Sequence, residues 1–219
     1  MNLSNLLWTY MPVLITSWLV TMICYKLSSG VLANHFNMEN RKIVIQTDIC
    51  FFILYICASV FYLVIDKSFI NALTIVPLSS IFVAHFVIDI KDKELPDKLN
   101  LAIAILGIVR LAIVLINGGF KDIYLHYSLS CLITSVVMFV IYLVLACVTG
   151  GALGGGDIKL VTALGLFLPT ASLVKFLLTP IIIGAFISMY LLIFKKAKKE
   201  DTFPFGPSIL ISFVILLFI

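Results

Sequence analysis

Charged side chains are scarce in this sequence. Asp, Glu, Lys and Arg make up only 12% of its 219 residues, against about 25% in soluble domains. Hydrophobic residues make up 62%, and the mean hydropathy is +1.19. This balance excludes a soluble globular fold and fits spans of ~20 apolar residues, the length that crosses a membrane's hydrocarbon layer. The composition predicts an all-α, polytopic membrane protein embedded in a lipid bilayer.

Cysteine and histidine are also few. The five cysteines are odd in number, lie in apolar contexts and include no CxxC pair, so we expect neither disulfides nor a zinc site. The three histidines have neither metal-ligand spacing nor a triad-like arrangement. We therefore expect no metal and no cofactor. The cysteines are Cys24, Cys50, Cys57, Cys131 and Cys147, and the histidines are His35, His85 and His126.

The net charge of +4 does not indicate a nucleic-acid partner, because the basic residues form short clusters beside apolar runs rather than a stripe. With the N terminus outside the cell, eleven of them fall in cytoplasmic connections and only Lys67 and Lys121 in outside ones. This bias predicts an N-out orientation. We expect a single membrane domain over residues 1–219 with about eight spans. They lie near residues 6–25, 43–65, 69–88, 99–117, 127–149, 157–168, 170–194 and 207–219.

Asp48, Arg110 and Lys175 are ionisable residues inside these spans, but Lys175 is close enough to the outer end of the seventh span to extend to the lipid headgroups. Asp48 is about a turn and a half into the second span, and Arg110 is deep in the fourth. A charge at membrane depth is costly, so it marks either a functional path or a buried ion pair. Both interpretations of Asp48 and Arg110 are open.

Acidic residues occupy two connections that the spans place in the cytoplasm. The chain crosses the membrane twice between Asp89 and Asp157, so both carboxylates are expected at the same face. Two neighbouring carboxylates at reduced dielectric tend to share one proton, so one can accept a proton from water while the other donates to a carbonyl oxygen. Spacing alone leaves the partner of Asp157 open among Asp89, Asp92, Glu94 and Asp97.

Glycine fills five of the seven positions before Asp157. A residue without a Cβ allows close backbone approach, so Gly154, Gly155 and Gly156 are candidates for shaping a site beside a helix start. At that start the helix dipole and an N-cap role would favour the ionised form of Asp157. A purely capping role for Asp157 is the alternative.

Two further charges lie beside these segments. Asp97 follows Pro96 and precedes the fourth span, where we expect it to cap a helix. Lys159 is some 200° around a helix from Asp157. We therefore expect Lys159 to extend towards the lipid headgroups rather than pair with that carboxylate.

At these residues the sequence resembles the prepilin leader peptidase family, the bacterial type IV prepilin peptidases, which are membrane aspartic proteases with a GxGD motif. Residues 154–160, Gly-Gly-Gly-Asp-Ile-Lys-Leu, match the family's GxGD-x-K-L segment. Asp89 stands eight residues before the aspartate of Pro96-Asp97, as in the family's first motif. Residues 203–207, Phe-Pro-Phe-Gly-Pro, are similar to the entry of its last helix.

The resemblance implies that Asp89 and Asp157 form a catalytic dyad. Asp97 and Lys159, which lie within the matched segments, are candidates for supporting residues. It implies an endopeptidase of the bacterial cytoplasmic membrane that serves type IV pili or protein secretion. Its substrates would be prepilins or pseudopilins, cut on the cytoplasmic side between a short basic leader and an apolar stem. The CxxC pairs of many members are absent here, which leaves methylation of the new N terminus, and S-adenosylmethionine as its cofactor, open. The oligomeric state is open too.

Two other functions compete with this one. A presenilin-like intramembrane protease shares the GxGD motif, but Ile88 stands where that class has a tyrosine before its aspartate. A transporter could line an ion path with Asp48, Arg110 and the glycine segment. The sequence lacks the paired broken helices in matching halves that such transporters show.

Overall fold

The computed structural model describes residues 3–35, 49–50, 53, 55–57, 69–151, 153–194 and 204–218. Over these ranges the regular elements are all helical, which confirms the predicted all-α class. The helices are α1 (Leu3–His35), α2 (Phe69–Thr74), α3 (Leu78–Asp92), α4 (Asp97–Asn117), α5 (Asp122–Val148), α6 (Gly155–Gly165), α7 (Leu173–Phe194) and α8 (Gly206–Phe218). A 3-10 turn, Thr170–Ser172, precedes α7.

Within the described residues, five helical segments are long and apolar enough to cross a membrane. They are Ile15–Ala33, Ile70–Asp92, Asp97–Asn117, Asp122–Val148 and Thr170–Ile193. Many of their large apolar side chains point outward, such as Val136 at 61% exposure and Phe186 at 64%, where lipid covers them at no hydrophobic cost. The protein is therefore a multi-pass helical membrane protein.

The predicted spans differ in detail from these helices. The predicted third span, 69–88, consists of α2 and α3, separated by a turn at residues 75–77. Pro77 lies in that turn, has no N–H and disfavours the helical conformation of the residue before it. The predicted second span, 43–65, lies mostly outside the described residues. The N-out orientation and the single domain stay predictions.

Helix α1 runs ten residues beyond the predicted end of the first span at Tyr25. The prediction took Lys26 as the boundary, but that side chain is exposed, so its charge does not interrupt the helix. Val31 and Leu32 are buried in the extension. Apolar contacts therefore continue past the charge that was expected to end the span.

The chain divides into two compact units, residues 1–84 and 85–219. In the first, α1 packs against α2, and the Ser17 hydroxyl donates a hydrogen bond to the Ala72 carbonyl at 3.0 Å. In the second, the short helix α6 packs against α4, α5 and α8, while α7 packs against α8. Leu160 and Leu164 of α6 are fully buried there. Because α6 is enclosed on several sides, its N terminus is held in a fixed place.

Arg110 is buried in the second unit beside aromatic side chains. Its Nη1 donates to the Tyr127 hydroxyl at 3.0 Å and to the Phe167 carbonyl at 3.5 Å. The guanidinium also lies 5.7 Å from the ring centroid of Tyr127 and 5.9 Å from that of Phe167, within cation–π range. Asp48, the partner suggested by the sequence, lies outside the described residues.

Candidate active site

Asp89 lies in the last turn of α3, and the residue is only 4% exposed. Its Oδ2 accepts a hydrogen bond from the backbone N–H of Gly206 at 2.9 Å. Gly206 is the first residue of α8, where N–H groups have no partner within the helix and the dipole favours a negative charge. The N terminus of α8 therefore supplies the polar partner of a buried carboxylate.

Gly206 approaches this carboxylate so closely that a side chain would not fit. A Cβ at this position would lie 2.8 Å from Oδ2 and 3.1 Å from Cγ of Asp89. Its third neighbour would be Cδ2 of Leu95, at 3.1 Å. Steric contact with Asp89 and Leu95 therefore explains why the Pro-Phe-Gly-Pro segment has glycine at position 206.

Asp157 is the third residue of α6, and Gly154 is the N-cap. The expectation that Asp157 itself is the N-cap was therefore wrong, because the helix begins at Gly155. Its Oδ2 instead reaches back and accepts the N–H of Gly154 at 3.2 Å. This is the reach-back half of a capping box. The side chain of Asp157 is thereby held towards the loop that precedes α6.

Burial, and then the nearby charge of Asp89, raise the pKa of Asp157 to about 7, while the Gly154 N–H acts in the opposite direction. The helix dipole was expected to favour the ionised form of Asp157, but the effect of removing this carboxyl group from water is larger. Helix α6 has 11 residues and lies outside the five long spans. Asp157 is therefore within electrostatic range of Asp89 and retains a proton close to neutral pH.

The three glycines before Asp157 differ in what surrounds them. A Cβ on Gly156 would lie 2.8 Å from Cβ and 3.2 Å from the carbonyl oxygen of Leu95. A Cβ on Gly154 would lie 3.2 Å from Oδ2 of Asp157, whereas one on Gly155 would meet nothing within 4 Å. Close packing therefore requires glycine at position 156, restricts position 154 and leaves position 155 free.

A chain of buried polar side chains connects α3 to the start of α6. His85 Nε2 lies 2.9 Å from Asn100 Oδ1, and Asn100 Nδ2 donates to the Gly156 carbonyl at 3.3 Å. A carbonyl only accepts, so the amide NH₂ of Asn100 faces Gly156 and its oxygen faces His85, which places a proton on Nε2. His85 is one helical turn before Asp89, and Gly156 directly precedes Asp157. The chain therefore couples the two segments that carry the aspartates.

Asp97 and Lys159 form an exposed ion pair. Lys159 Nζ lies 2.7 Å from Oδ1 and 2.8 Å from Oδ2 of Asp97, with side-chain exposures of 56% and 71%. Asp97 was expected to cap α4, but Pro96 is the N-cap and no side chain caps that end. Lys159 pairs with this carboxylate instead of extending alone to the headgroups. The pair joins α4 to α6 at a solvated position, where such contacts contribute little.

Metal-binding residues are not grouped in the part of the chain that the structure describes. Among those residues, no set of three or more His, Cys, Asp or Glu could hold an ion. All five cysteines are free.

The two segments that carry Asp89 and Asp157 fall inside one family match. The type IV leader peptidase family matches residues 76–189, slightly more than half of the chain. This chain belongs to the type IV leader peptidase family.

A curated relative agrees with the family assignment. A prepilin leader peptidase/N-methyltransferase from Xanthomonas campestris pv. campestris is 28% identical over 145 residues, or 64% of this chain. The chain spans about half, 48%, of that relative's length. No solved structure matches.

The sequence of this leader peptidase family member did not predict the roles of four residues that surround the two aspartates. They are His85, Leu95, Asn100 and Gly206. Gly206 was within a quoted motif, and its position just before Pro207 at a helix start was a usable signal. The remaining three gave no comparable signal, because their roles depend on how α3, α4 and α6 pack.

Proposed function

We propose that this protein is a membrane aspartic endopeptidase that removes the short basic leader of type IV prepilins or pseudopilins. Asp89 and Asp157 are its catalytic dyad, and cleavage takes place on the cytoplasmic side of the bacterial inner membrane. The proposal covers hydrolysis and not methylation of the product. The family match and the name of the Xanthomonas relative support the substrate class.

One observation carries the mechanism. The charge of Asp89 acts on Asp157 and helps to raise the pKa of Asp157 to about 7. Two carboxyl groups that interact in this way hold one proton between them over a range of pH, because ionising both is costly. This is the protonation state that an aspartic protease needs.

The reaction then needs only the two side chains and water. The ionised carboxylate removes a proton from water as the water oxygen forms a bond to the scissile carbonyl carbon. The protonated carboxyl group donates its proton to the carbonyl oxygen, which gives a neutral gem-diol. When the gem-diol collapses, the C–N bond breaks and the leaving nitrogen takes a proton from one carboxyl group. One hydroxyl of the gem-diol gives its proton to the other carboxylate as the C=O bond re-forms, so the dyad again holds a single proton.

The position of the dyad suits a substrate that is itself anchored in the membrane. Asp89 lies in the last turn of a membrane-spanning segment, and Asp157 lies in the first turn of α6. A prepilin held by its apolar stem would reach such a pair already oriented, which lowers the entropic cost of the reaction. Among the glycines just before Asp157, Gly155 leaves open space for a peptide, because a Cβ there would meet nothing within 4 Å.

The test replaces each aspartate with asparagine and co-expresses the protein with a prepilin. Asp89→Asn and Asp157→Asn should each abolish the mobility shift of the processed prepilin while the protein accumulates in the membrane. Asp122→Asn is a matched control, because Asp122 is exposed in the first turn of α5 and about 39 Å along that helix from its other end. Processing by either dyad variant at more than about 1% of the wild-type rate would refute the mechanism.

A further inference from the structure

One buried polar atom near Asp157 has no role in the mechanism so far. Tyr142 lies on α5 and is 0% exposed. Its hydroxyl oxygen is among the few buried side-chain polar atoms of the described residues that have no hydrogen-bond partner. Buried hydroxyls are normally paired because removal from water costs free energy that only a hydrogen bond restores. An unpaired hydroxyl at this depth therefore calls for a functional reason.

The surroundings of this hydroxyl point towards the dyad. The charge of Asp157 acts on the Tyr142 hydroxyl, so the two groups lie within electrostatic range, although they form no direct hydrogen bond. Helix α5 packs along α6, the helix that begins beside Asp157. The hydroxyl is thus a donor near the carboxylate but separated from it by more than a hydrogen bond's length.

We propose that the Tyr142 hydroxyl donates a hydrogen bond to the carbonyl oxygen of the scissile peptide bond. This inference rests on the proposed function, because it needs a peptide at the dyad. A peptide carbonyl beside Asp157 offers the acceptor that the hydroxyl lacks, and its oxygen gains negative charge as water attacks. A fixed donor in a site of low dielectric stabilises that charge more in the transition state than in the ground state. Tyr142 would then be a third catalytic residue.

Tyr142→Phe is a sharp test because it removes one oxygen and keeps the ring. The assay uses the full-length protein in detergent and a synthetic peptide with a short basic leader, a glycine and the start of an apolar helix. We expect kcat to fall roughly 100-fold, as when one donor to a developing oxyanion is removed, while KM changes less than about threefold. The Tm should stay the same or rise, because removing the Tyr142 hydroxyl breaks no hydrogen bond of the folded protein.

Tyr127→Phe is the matched control on the same helix. The Tyr127 hydroxyl accepts a hydrogen bond from Arg110. Residue 127 precedes residue 142 by 15 positions, or about 22 Å along the axis of α5. This variant should lower the Tm and leave kcat unchanged, which is the reverse of the pattern expected for Tyr142→Phe. The two variants together separate a catalytic hydroxyl from a structural one.

Each result decides the inference. A kcat for Tyr142→Phe within twofold of wild type overturns it, and so does an effect on KM alone. Failure of this variant to accumulate would also overturn it, because the hydroxyl would then be structural. If Asp89→Asn and Asp157→Asn are inactive while Tyr142→Phe is fully active, only this inference fails. If the asparagine variants are active, the proposed function itself fails.

Discussion

The backbone N–H of Gly206 donates a hydrogen bond to Oδ2 of Asp89 at 2.9 Å, across 117 positions of the chain. The contact brings the start of α8 to the last turn of α3. It depends on the missing side chain of Gly206, because a Cβ there would lie 2.8 Å from the same oxygen.

Gly206→Ala should therefore displace the Asp89 carboxylate and weaken its hydrogen bond. A hydrogen bond to a charged group contributes about 1.5–3 kcal/mol, so we expect peptidase activity to fall about 10- to 100-fold. Initial rates on a purified prepilin would measure this. Gly30→Ala is the control, since a Cβ at that exposed position meets nothing within 4 Å. Equal activity of the two variants would contradict the steric explanation.

The glycines before Asp157 should tolerate alanine to different degrees. Gly156→Ala forces the new Cβ against the backbone carbonyl and Cβ of Leu95, and such overpacking costs about 1–3 kcal/mol. Gly154→Ala disturbs the Asp157 carboxylate, whereas Gly155→Ala has open space. We expect activity to decrease in the order Gly155→Ala, Gly154→Ala, Gly156→Ala. If Gly155→Ala were the most damaging of the three, steric packing would not explain the motif.

Asn100→Ala should disrupt the coupling between α3 and α6. It removes the acceptor of the buried His85 Nε2–H, which costs about 1–3 kcal/mol, and it removes the side-chain hydrogen bond to the Gly156 carbonyl. We expect a lower Tm together with reduced activity, measured on the same purified sample. His85→Gln, which can keep an N–H towards Asn100, should be milder than His85→Ala. Equal effects of these two histidine variants would argue against the hydrogen bond.

The raised pKa of Asp157 predicts how stability depends on pH. In the folded protein this pKa is about 7, above the ordinary value of 3.8, so the folded state binds the proton more tightly than the unfolded state. Asp157 therefore lowers stability progressively as the pH rises from about 4 to about 7, where the unfolded state is already ionised. Asp157→Asn removes this penalty. Its Tm should equal that of wild type near pH 4 and exceed it at pH 8, as thermal unfolding in detergent would show. A Tm difference that does not change with pH would contradict the shift.

Apolar run length was enough to predict most of the helices. It located α4, α5 and α7 to within a few residues, because a span needs a minimum length of apolar sequence whatever its neighbours are. It failed at the turn of residues 75–77 and at the end of α1. In both places the outcome depends on local backbone geometry and on which side of the helix faces lipid, neither of which run length records.

Spacing alone left the partner of Asp157 open, and it was the family resemblance that pointed to Asp89; neither indicated what surrounds the two aspartates. The partner of Asp89 is a backbone N–H far along the chain, and backbone donors leave no signature in side-chain patterns. Asn100 and Tyr142 look like ordinary polar positions of apolar helices until the packing of α4 and α5 against α6 is known. The helical spacing correctly indicated that Lys159 does not pair with Asp157. It did not reveal the actual partner, Asp97, which lies 62 positions away in the sequence.

The long separation between Asp89 and Gly206 also affects biogenesis. Helix α3 leaves the ribosome and enters the bilayer well before residue 206 has been translated. Until that later segment is inserted, the carboxylate of Asp89 lacks its donor, and the hydrolytic centre we propose is unfinished. In the mechanism that we propose, hydrolysis therefore waits for the insertion of α8, which brings Gly206 to Asp89.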